Sequence, residues 1–574
     1  MEVHVVAEGP VREAIVSALG DVDLDVRDVD ASDLESARFA VVSGVAGAET
    51  FAEATEAARA GSTPWLAVEI GGVGGRPLPE VEAAVSGFAP ATGCFECLRT
   101  RVAAGFEGGA DRPRADRATA RLAGAVAGRE CVRVLSGDDR SVIGQVLEFP
   151  HARRRLHPVP GCDCDSGGRP RDLELTDDES VDLETAVERA ETAIDPRVGL
   201  LASIGEAESY PAPYYLAETA ETDGFSDASA PEQAAGVDPD WNAALMKATG
   251  EALERYCAAV YREDDLVRAT IDDLEAPISP ETLVRPDDAP AIDDETEYHW
   301  VEGRNLETGE TVHLPAAAVQ FPQPGERLLP AITTGLGLGS STVDALVSGL
   351  TEVIERDATM LAWYSTFEPA GLAVDHEGFD ALARRVESEG LSVTPLLVTQ
   401  DVDVPVVAVA VHREDGWPRF AVGSACGLDA AETAYSALAE ATQNWMELRG
   451  LGPEEAASQS GAIGEYASFP DEVRGFVSPD ETVSADAVGP ETTPTGADAL
   501  EALLSRVTDV GLTPYASRLT TRDVAGLGFE GVRVVVPGAQ PLFTREPFFG
   551  ERARTVPAEL GYEPALEREY HPYP

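Results

Sequence analysis

The sequence predicts an α/β (mixed α+β) protein: a smaller N-terminal α/β layer domain with a metal site, then a larger α/β domain. Three observations predict it. Strand-like and helix-like stretches alternate over residues 1–165, a polar and acidic stretch follows at 166–197, and residues 198–574 mix long amphipathic helices with short apolar strands. A chain of 574 residues also exceeds what one hydrophobic core supports, so two or three domains are expected.

Taken in order, residues 2–6 read as a strand, 11–19 as a helix, 38–43 as a strand, 51–60 as a helix and 64–69 as a strand. That succession predicts a layer of mostly parallel strands. A helix at 115–135 and a strand at 141–149 complete the first domain. The stretch 166–197 reads as an acidic linker carrying one helix at 183–194. Beyond it, helices are expected at 241–261, 344–364 and 430–448, strands at 404–411 and 532–536, and an exposed excursion at 478–497. No apolar run reaches the 18 or so residues of a membrane span. The opening MEVHVVAEGP has neither a basic start nor a small-residue cleavage site, which predicts a cytoplasmic location.

Charge narrows the setting. There are 102 Asp and Glu against 43 Lys and Arg, a formal charge of −59, and Lys247 is the one lysine. So much like charge repels itself in dilute buffer, whereas molar salt shortens the Debye length to about 3 Å. The composition suits a halophilic, salt-rich cytoplasm. It offers no basic stripe for nucleic acid.

Four of the seven cysteines fall in two close pairs, Cys94/Cys97 (C-x-x-C) and Cys162/Cys164 (C-x-C). Four thiolates satisfy a tetrahedral zinc and leave no open position, so the expectation is a structural Zn²⁺. The glycine run at 71–75 reads as a plain turn, because Arg76, Pro77 and Pro79 stand where a phosphate-binding helix would begin.

The chemistry is expected on three helices. Glu251 and Glu254 lie three apart with Arg255 beside them; Glu352, Glu355 and Arg356 repeat the pattern E-x-x-E-R; Glu440 and Gln443 keep the offset. Residues three apart share a helix face. Carboxylates gathered in one place repel unless a cation compensates them, and hard oxygen donors select Mg²⁺ together with phosphate oxygens. A glycine-spaced loop, TTGLGLGSS, runs into the second helix, where Ser341 and Asp344 fit a capping box. Lys247, one turn before Glu251, is a candidate phosphate contact.

KATGEALERY, TTGLGLGSSTVDALVSGLTEVIERDA and ALAEATQNW resemble the three nucleotide-site motifs of the YcaO family, over roughly residues 195–574. The resemblance implies ATP and Mg²⁺ held by Glu251, Glu254, Glu352, Glu355, Glu440 and Gln443, with Lys247, Arg255, Arg356, Ser340 and Asp344 in the nucleotide-binding set. Ser340 stands where the family often has asparagine and Asp344 where it often has glutamate. The ending HPYP is similar to the proline-rich terminus of azoline-forming members and makes the Pro574 carboxylate, with Glu352 and Glu355, a catalytic candidate. The first domain resembles the zinc-bound, E1-like partner domain of cyclodehydratases, which presents the substrate peptide. It has no G-x-G-x-x-G, so no adenylating role is expected of it.

The implied reaction is ATP-dependent O-phosphorylation of a peptide backbone amide, giving an azoline or a thioamide. A leader-binding or sulfur-donating partner protein and a homodimer are implied with it. The alternative is a non-catalytic scaffold that binds ATP or peptide for a partner enzyme.

Overall fold

The computed structural model describes residues 2–105, 112–150, 152–164, 172–325, 327–459 and 461–573. Its first layer runs β1 (Glu2–Val6), α1 (Gly9–Gly20), β2 (Asp25–Asp28), β3 (Ala40–Val45), α2 (Thr50–Gly61) and β4 (Trp65–Ile70). A small hairpin, β5 (Gly72–Val73) and β6 (Arg76–Pro77), leads to β7 (Ala83–Phe88), α3 (Phe95–Ala104), α4 (Arg117–Ser136), β8 (Gln145–Phe149) and β9 (Ala152–Arg155). The sheet order is β2-β1-β3-β4-β7-β8-β9.

Only half of this sheet is parallel, which corrects the expectation of mostly parallel strands. β2, β1, β3 and β4 run parallel, whereas the β4–β7, β7–β8 and β8–β9 pairs are antiparallel. The cause is the β4–β7 connection: residues 71–82 form the glycine hairpin instead of the crossover helix a parallel return needs. Strand alternation feeds both faces. Leu66 and Val68 join Ile15, Leu19 and Ala127 on one side, while Trp65 and Ala67 join Phe51, Phe95 and Leu98 on the other.

The stretch read as a linker is packed where it is described. Helix α5 (Leu183–Glu191) buries Ala186, Val187 and Ala190, and the Asp177 carboxylate accepts from the Thr342 N–H at the start of a later helix. Residues 165–171 lie outside the described part.

Strands β10 (Leu201–Glu208), β11 (Tyr214–Thr219) and β12 (Gln233–Val237) form an antiparallel sheet covered by α6 (Trp241–Ala259). After the single turn α7 (Ala316–Val319) comes α8 (Thr342–Trp363), buried almost all round, as a helix wedged between sheets must be. It packs on strands Leu336–Gly339 and Glu530–Val535 of one sheet and touches Phe420–Cys426 of another. Helix α9 (Glu377–Ser388) and helix α10 (Ala430–Ala456) flank that second sheet, and α10 bends at Gly452, where φ is 73°. The polar stretch 478–497 is more than an excursion: its Thr482–Ser484 pairs with Ala370–Ala373 and adds an edge strand. No described helix is long and apolar enough to cross a membrane.

Candidate nucleotide and metal sites

Helices α6, α8 and α10 each rest on a strand at a glycine. A Cβ on Gly236 would come within 2.3 Å of Ala248 N, one on Gly337 within 2.2 Å of Ala345 O, and one on Gly423 within 2.3 Å of Ala441 N. Only glycine permits such approach. Each of these helices also presents a glutamate whose Oε2 accepts a backbone N–H from the strand or its start, three residues after the contact in α6, seven after it in α8 and one before it in α10. Ala235 N donates to Glu251 at 2.8 Å, Gly335 N to Glu352 at 2.9 Å and Ser424 N to Glu440 at 2.8 Å. The sequence separations are 16, 17 and 16 residues, so each helix is tied back to the strand before it by one such bond.

These helices line a cavity of about 1180 Å³. It brings together Glu251, Glu254, Arg255, Glu352, Glu355, Arg356, Glu440 and Gln443, eight of the residues expected from sequence. Arg356 bridges Glu355 at 3.3 Å and Glu352 at 3.9 Å; Arg255 pairs with Glu251 at 2.5 Å. The Ser424 hydroxyl donates to Glu355 at 2.7 Å. Arg533 adds a third positive charge beside Glu254 and Glu352, and three arginines cannot balance five glutamates. Burial, then the charges of Glu352 and Glu251, push the Glu254 carboxyl up to about 8. Burial also lifts Glu355 to about 8, with Arg356 opposing and Glu440 adding to the rise, and it raises Glu352 and Glu440. A set of crowded, underneutralised oxygen donors fits hard divalent cations and the phosphates they accompany.

Three predicted residues are placed elsewhere. Lys247 donates to Asp238 at 2.8 Å and to Val237 O at 3.3 Å, and does not line the cavity. Ser340 and Asp344 bond each other at 3.0 Å at the start of α8, two turns before Glu352, and also lie off the cavity. In both cases a nearer protein partner takes the polar group. Pro574 lies outside the described residues. The residues just before it are buried: the His571 ring bonds Phe543 O at 2.7 Å, and Tyr573 is close enough to Glu355 and Arg356 to feel their charge.

Sequence reasoning missed Glu447, Tyr214 and Thr351 in the cavity wall. Glu447 was findable, being four residues after Gln443 and so on the same helix face.

The cysteines form a second centre. Cys94 caps α3 and Cys97 sits in its first turn. Their sulfurs are 3.8 Å apart, Cys94 is 3.7 Å from Cys162, and Cys97 is 3.5 Å from Cys164. Ligand atoms of all four lie within 4.8 Å of one another. A tetrahedral ion with metal–sulfur bonds of about 2.3 Å sets its sulfurs about 3.8 Å apart, so the four thiols fit a metal. Val159 N donates to Cys97 Sγ at 3.2 Å, and Arg522, from the far end of the chain, donates to Cys164 Sγ at 3.4 Å. One turn after Cys97, Arg101 reaches Asp523 at 2.6 Å; the Tyr256 hydroxyl of α6 shares that carboxylate at 2.7 Å.

Residues 235–540 match the YcaO family, described as an ATP- and Mg²⁺-binding cyclodehydratase. An uncharacterised protein of Methanothermobacter thermautotrophicus is 29% identical over 327 residues, which are 54% of this chain and 82% of the relative. An uncharacterised protein in the tfuA 3′ region of Rhizobium leguminosarum bv. trifolii is 26% identical over 231 residues, 37% of this chain and 54% of the relative. Among solved structures, a heterocyclase in complex with substrate and cofactor superposes with a TM-score of 0.77 at 19% identity. It covers all of this chain and 85% of its own. The heterocyclase TruD gives 0.69 at 18% identity, covering all of this chain and 84% of its own. At these identities the two structures share the fold.

Proposed function

The chain belongs to the YcaO family and is an enzyme of the YcaO type, and on that premise we propose that it uses ATP to O-phosphorylate a backbone amide in a ribosomally made peptide or protein. The observation that carries this reading is the thrice-anchored glutamate cavity. Five carboxylates, three of them held by backbone N–H groups, and short of arginine suit a metal–triphosphate, and YcaO proteins are described as ATP- and Mg²⁺-binding.

Amide oxygen is a poor leaving group, and phosphorylation makes it a good one. A Cys, Ser or Thr side chain of the substrate bonds to the amide carbon and loses its proton. The former carbonyl oxygen takes the γ-phosphoryl group of ATP, leaving ADP. The C–O bond then breaks, phosphate departs with that oxygen, and the amide nitrogen gives up its proton to leave an azoline. External sulfide in place of the side chain gives a thioamide. Bound Mg²⁺ would neutralise the triphosphate, held by Glu251, Glu254, Glu352, Glu355 and Glu440. The protein's share is then positioning and charge compensation. Arg356 keeps Glu352 and Glu355 in place, and the buried tail around Tyr573 shuts water out on that side.

In the same reading, residues 1–165 are a docking unit with zinc on Cys94, Cys97, Cys162 and Cys164, residues 166–197 connect it, and residues 198–574 are catalytic. The enzyme works as a homodimer in a salt-rich cytoplasm, beside a leader-binding or sulfur-donating partner. The test is phosphate release in molar KCl with Mg²⁺, alone and with candidate peptides, for wild type and Glu352→Gln. Turnover should fall by roughly 10²–10³-fold in the variant, as for loss of one charge-stabilising group. Peptide mass separates loss of water from exchange of oxygen for sulfur. Wild-type protein that neither binds nor turns over ATP would assign the chain to the scaffold role instead.

A further inference from the structure

A divalent ion on four thiolates is a dianion, and the ligand loops of this chain make that charge harder to hold. Glu96 lies between Cys94 and Cys97, and Asp163 between Cys162 and Cys164. The arginines beside them are spent on those acids: Arg99 pairs with Glu96 at 2.6 Å and Arg59 with Asp163 at 3.6 Å. The guanidinium that bonds a sulfur comes instead from the C-terminal region, Arg522 at 3.4 Å from Cys164 Sγ. Its neighbour grips the rest of the ligand set. Asp523 is fully buried, and its Oδ2 accepts from Arg101 at 2.6 Å and from the Tyr256 hydroxyl at 2.7 Å. Arg101, on α3 one turn after Cys97, also donates to His157 O at 2.9 Å and Pro158 O at 3.1 Å, at the head of the loop that carries Cys162 and Cys164. Two adjacent residues at the start of the short helix Arg522–Ala525 thus hold both cysteine pairs. Tyr256 ties them to α6, two residues after Glu254.

We infer that Arg522 and Asp523 clamp the thiol centre to α6, so that zinc retention and the seating of the N-terminal layer on the C-terminal region are one linked equilibrium. This rests on the zinc reading of the four thiols and deepens it. A hydrogen bond from a guanidinium strengthens when its acceptor is an anion, so the Arg522 contact gains most when a metal keeps Cys164 as thiolate. A bound ion therefore draws residues 522–523 onto the cysteine loops, and Arg101 and Tyr256 follow through the shared Asp523 carboxylate. Linkage makes the effect reciprocal: the factor by which a closed seam tightens zinc is the factor by which zinc favours the closed seam. Neither residue is a ligand. Both are positioning residues, and they make the hold on the metal depend on sequence more than 350 residues downstream of Cys164.

Chelator competition for zinc on the full chain in molar KCl tests the first half. Arg522→Leu should release zinc about 10- to 100-fold more readily than wild type, the size of a lost outer contact to a metal ligand. Arg522→Lys should recover part of that. With Co²⁺ as the probe, Arg522→Leu should keep the tetrahedral d–d bands and shift the sulfur-to-metal charge-transfer band, which a packing defect alone would leave in place. Amide hydrogen exchange reads the other half. Removing zinc from wild type should speed exchange over residues 250–258 and 518–527, and in Arg522→Leu that dependence on zinc should shrink. Unchanged zinc retention in Arg522→Leu, or exchange over 250–258 that is indifferent to zinc in wild type, overturns the clamp alone. Wild-type protein that takes up no zinc overturns the zinc reading itself.

Discussion

The four thiols beside the N-terminal sheet and the five carboxylates of the cavity assemble in opposite ways. The thiols come as two short pairs, C-x-x-C and C-x-C, within one layer of the fold. The carboxylates come from three helices almost 190 residues apart along the chain (Glu251 to Glu440), each tied to its own strand by one N–H. A neutral thiol cluster tolerates partial burial without an ion. Five buried carboxylates do not tolerate it as anions, and the raised Glu254 and Glu355 carboxyls express that strain. The difference teaches that the thiols make a centre that fits a metal within one local piece of the fold, whereas the carboxylates are gathered at a cost that a bound cation would offset.

The largest effect that could break this contrast is metal loss. Cys97→Ser should abolish stoichiometric zinc, read by atomic absorption after dialysis, while the Glu352→Gln protein keeps it. Next in size is the joint between the two regions. Arg101→Met strands the Asp523 charge, with the pair 3% and 0% exposed, and should cost about 3–5 kcal/mol in chemical denaturation. The double variant Arg101→Met/Asp523→Leu should recover much of it.

Smaller is the pH dependence. Glu254 and Glu355 rise from 4.5 unfolded to about 8 folded, so the folded state binds more protons between those values. Their contribution is fully present below pH 4.5 and lost as pH rises through about 8. Melting temperature without Mg²⁺ and ATP should fall over that window, and both ligands together should flatten the fall. The smallest effect belongs to Lys247→Ala. Its ammonium pairs with Asp238 off the cavity, so nucleotide affinity should change less than about threefold, in keeping with a half-exposed ion pair.

Much of both centres was legible because each rests on short-range spacing. The i, i+3 acid pairs declare a shared helix face, and close cysteine pairs declare a ligand set. What spacing does not carry was missed. Ala83–Phe88 is buried on both faces, so it shows no period of two, and the antiparallel half of the first sheet went unseen. The N–H anchors on Ala235, Gly335 and Ser424 are backbone groups with no side-chain signature. Lys247, Ser340 and Asp344 fit the motif pattern, yet local partners hold them off the cavity. Glu447 was obscured by ending the pattern one turn early.

The buried Arg101–Asp523 pair also orders events in time. Its members are 422 residues apart, so at about 5–20 residues per second the acceptor leaves the ribosome roughly 20–80 s after the donor. Through that interval the arginine has the carbonyls of His157, Pro158 and Gly199 within reach but no carboxylate to balance its charge, and water must serve in the acid's place. The seam between the two regions is thus among the last surfaces of the molecule to dry.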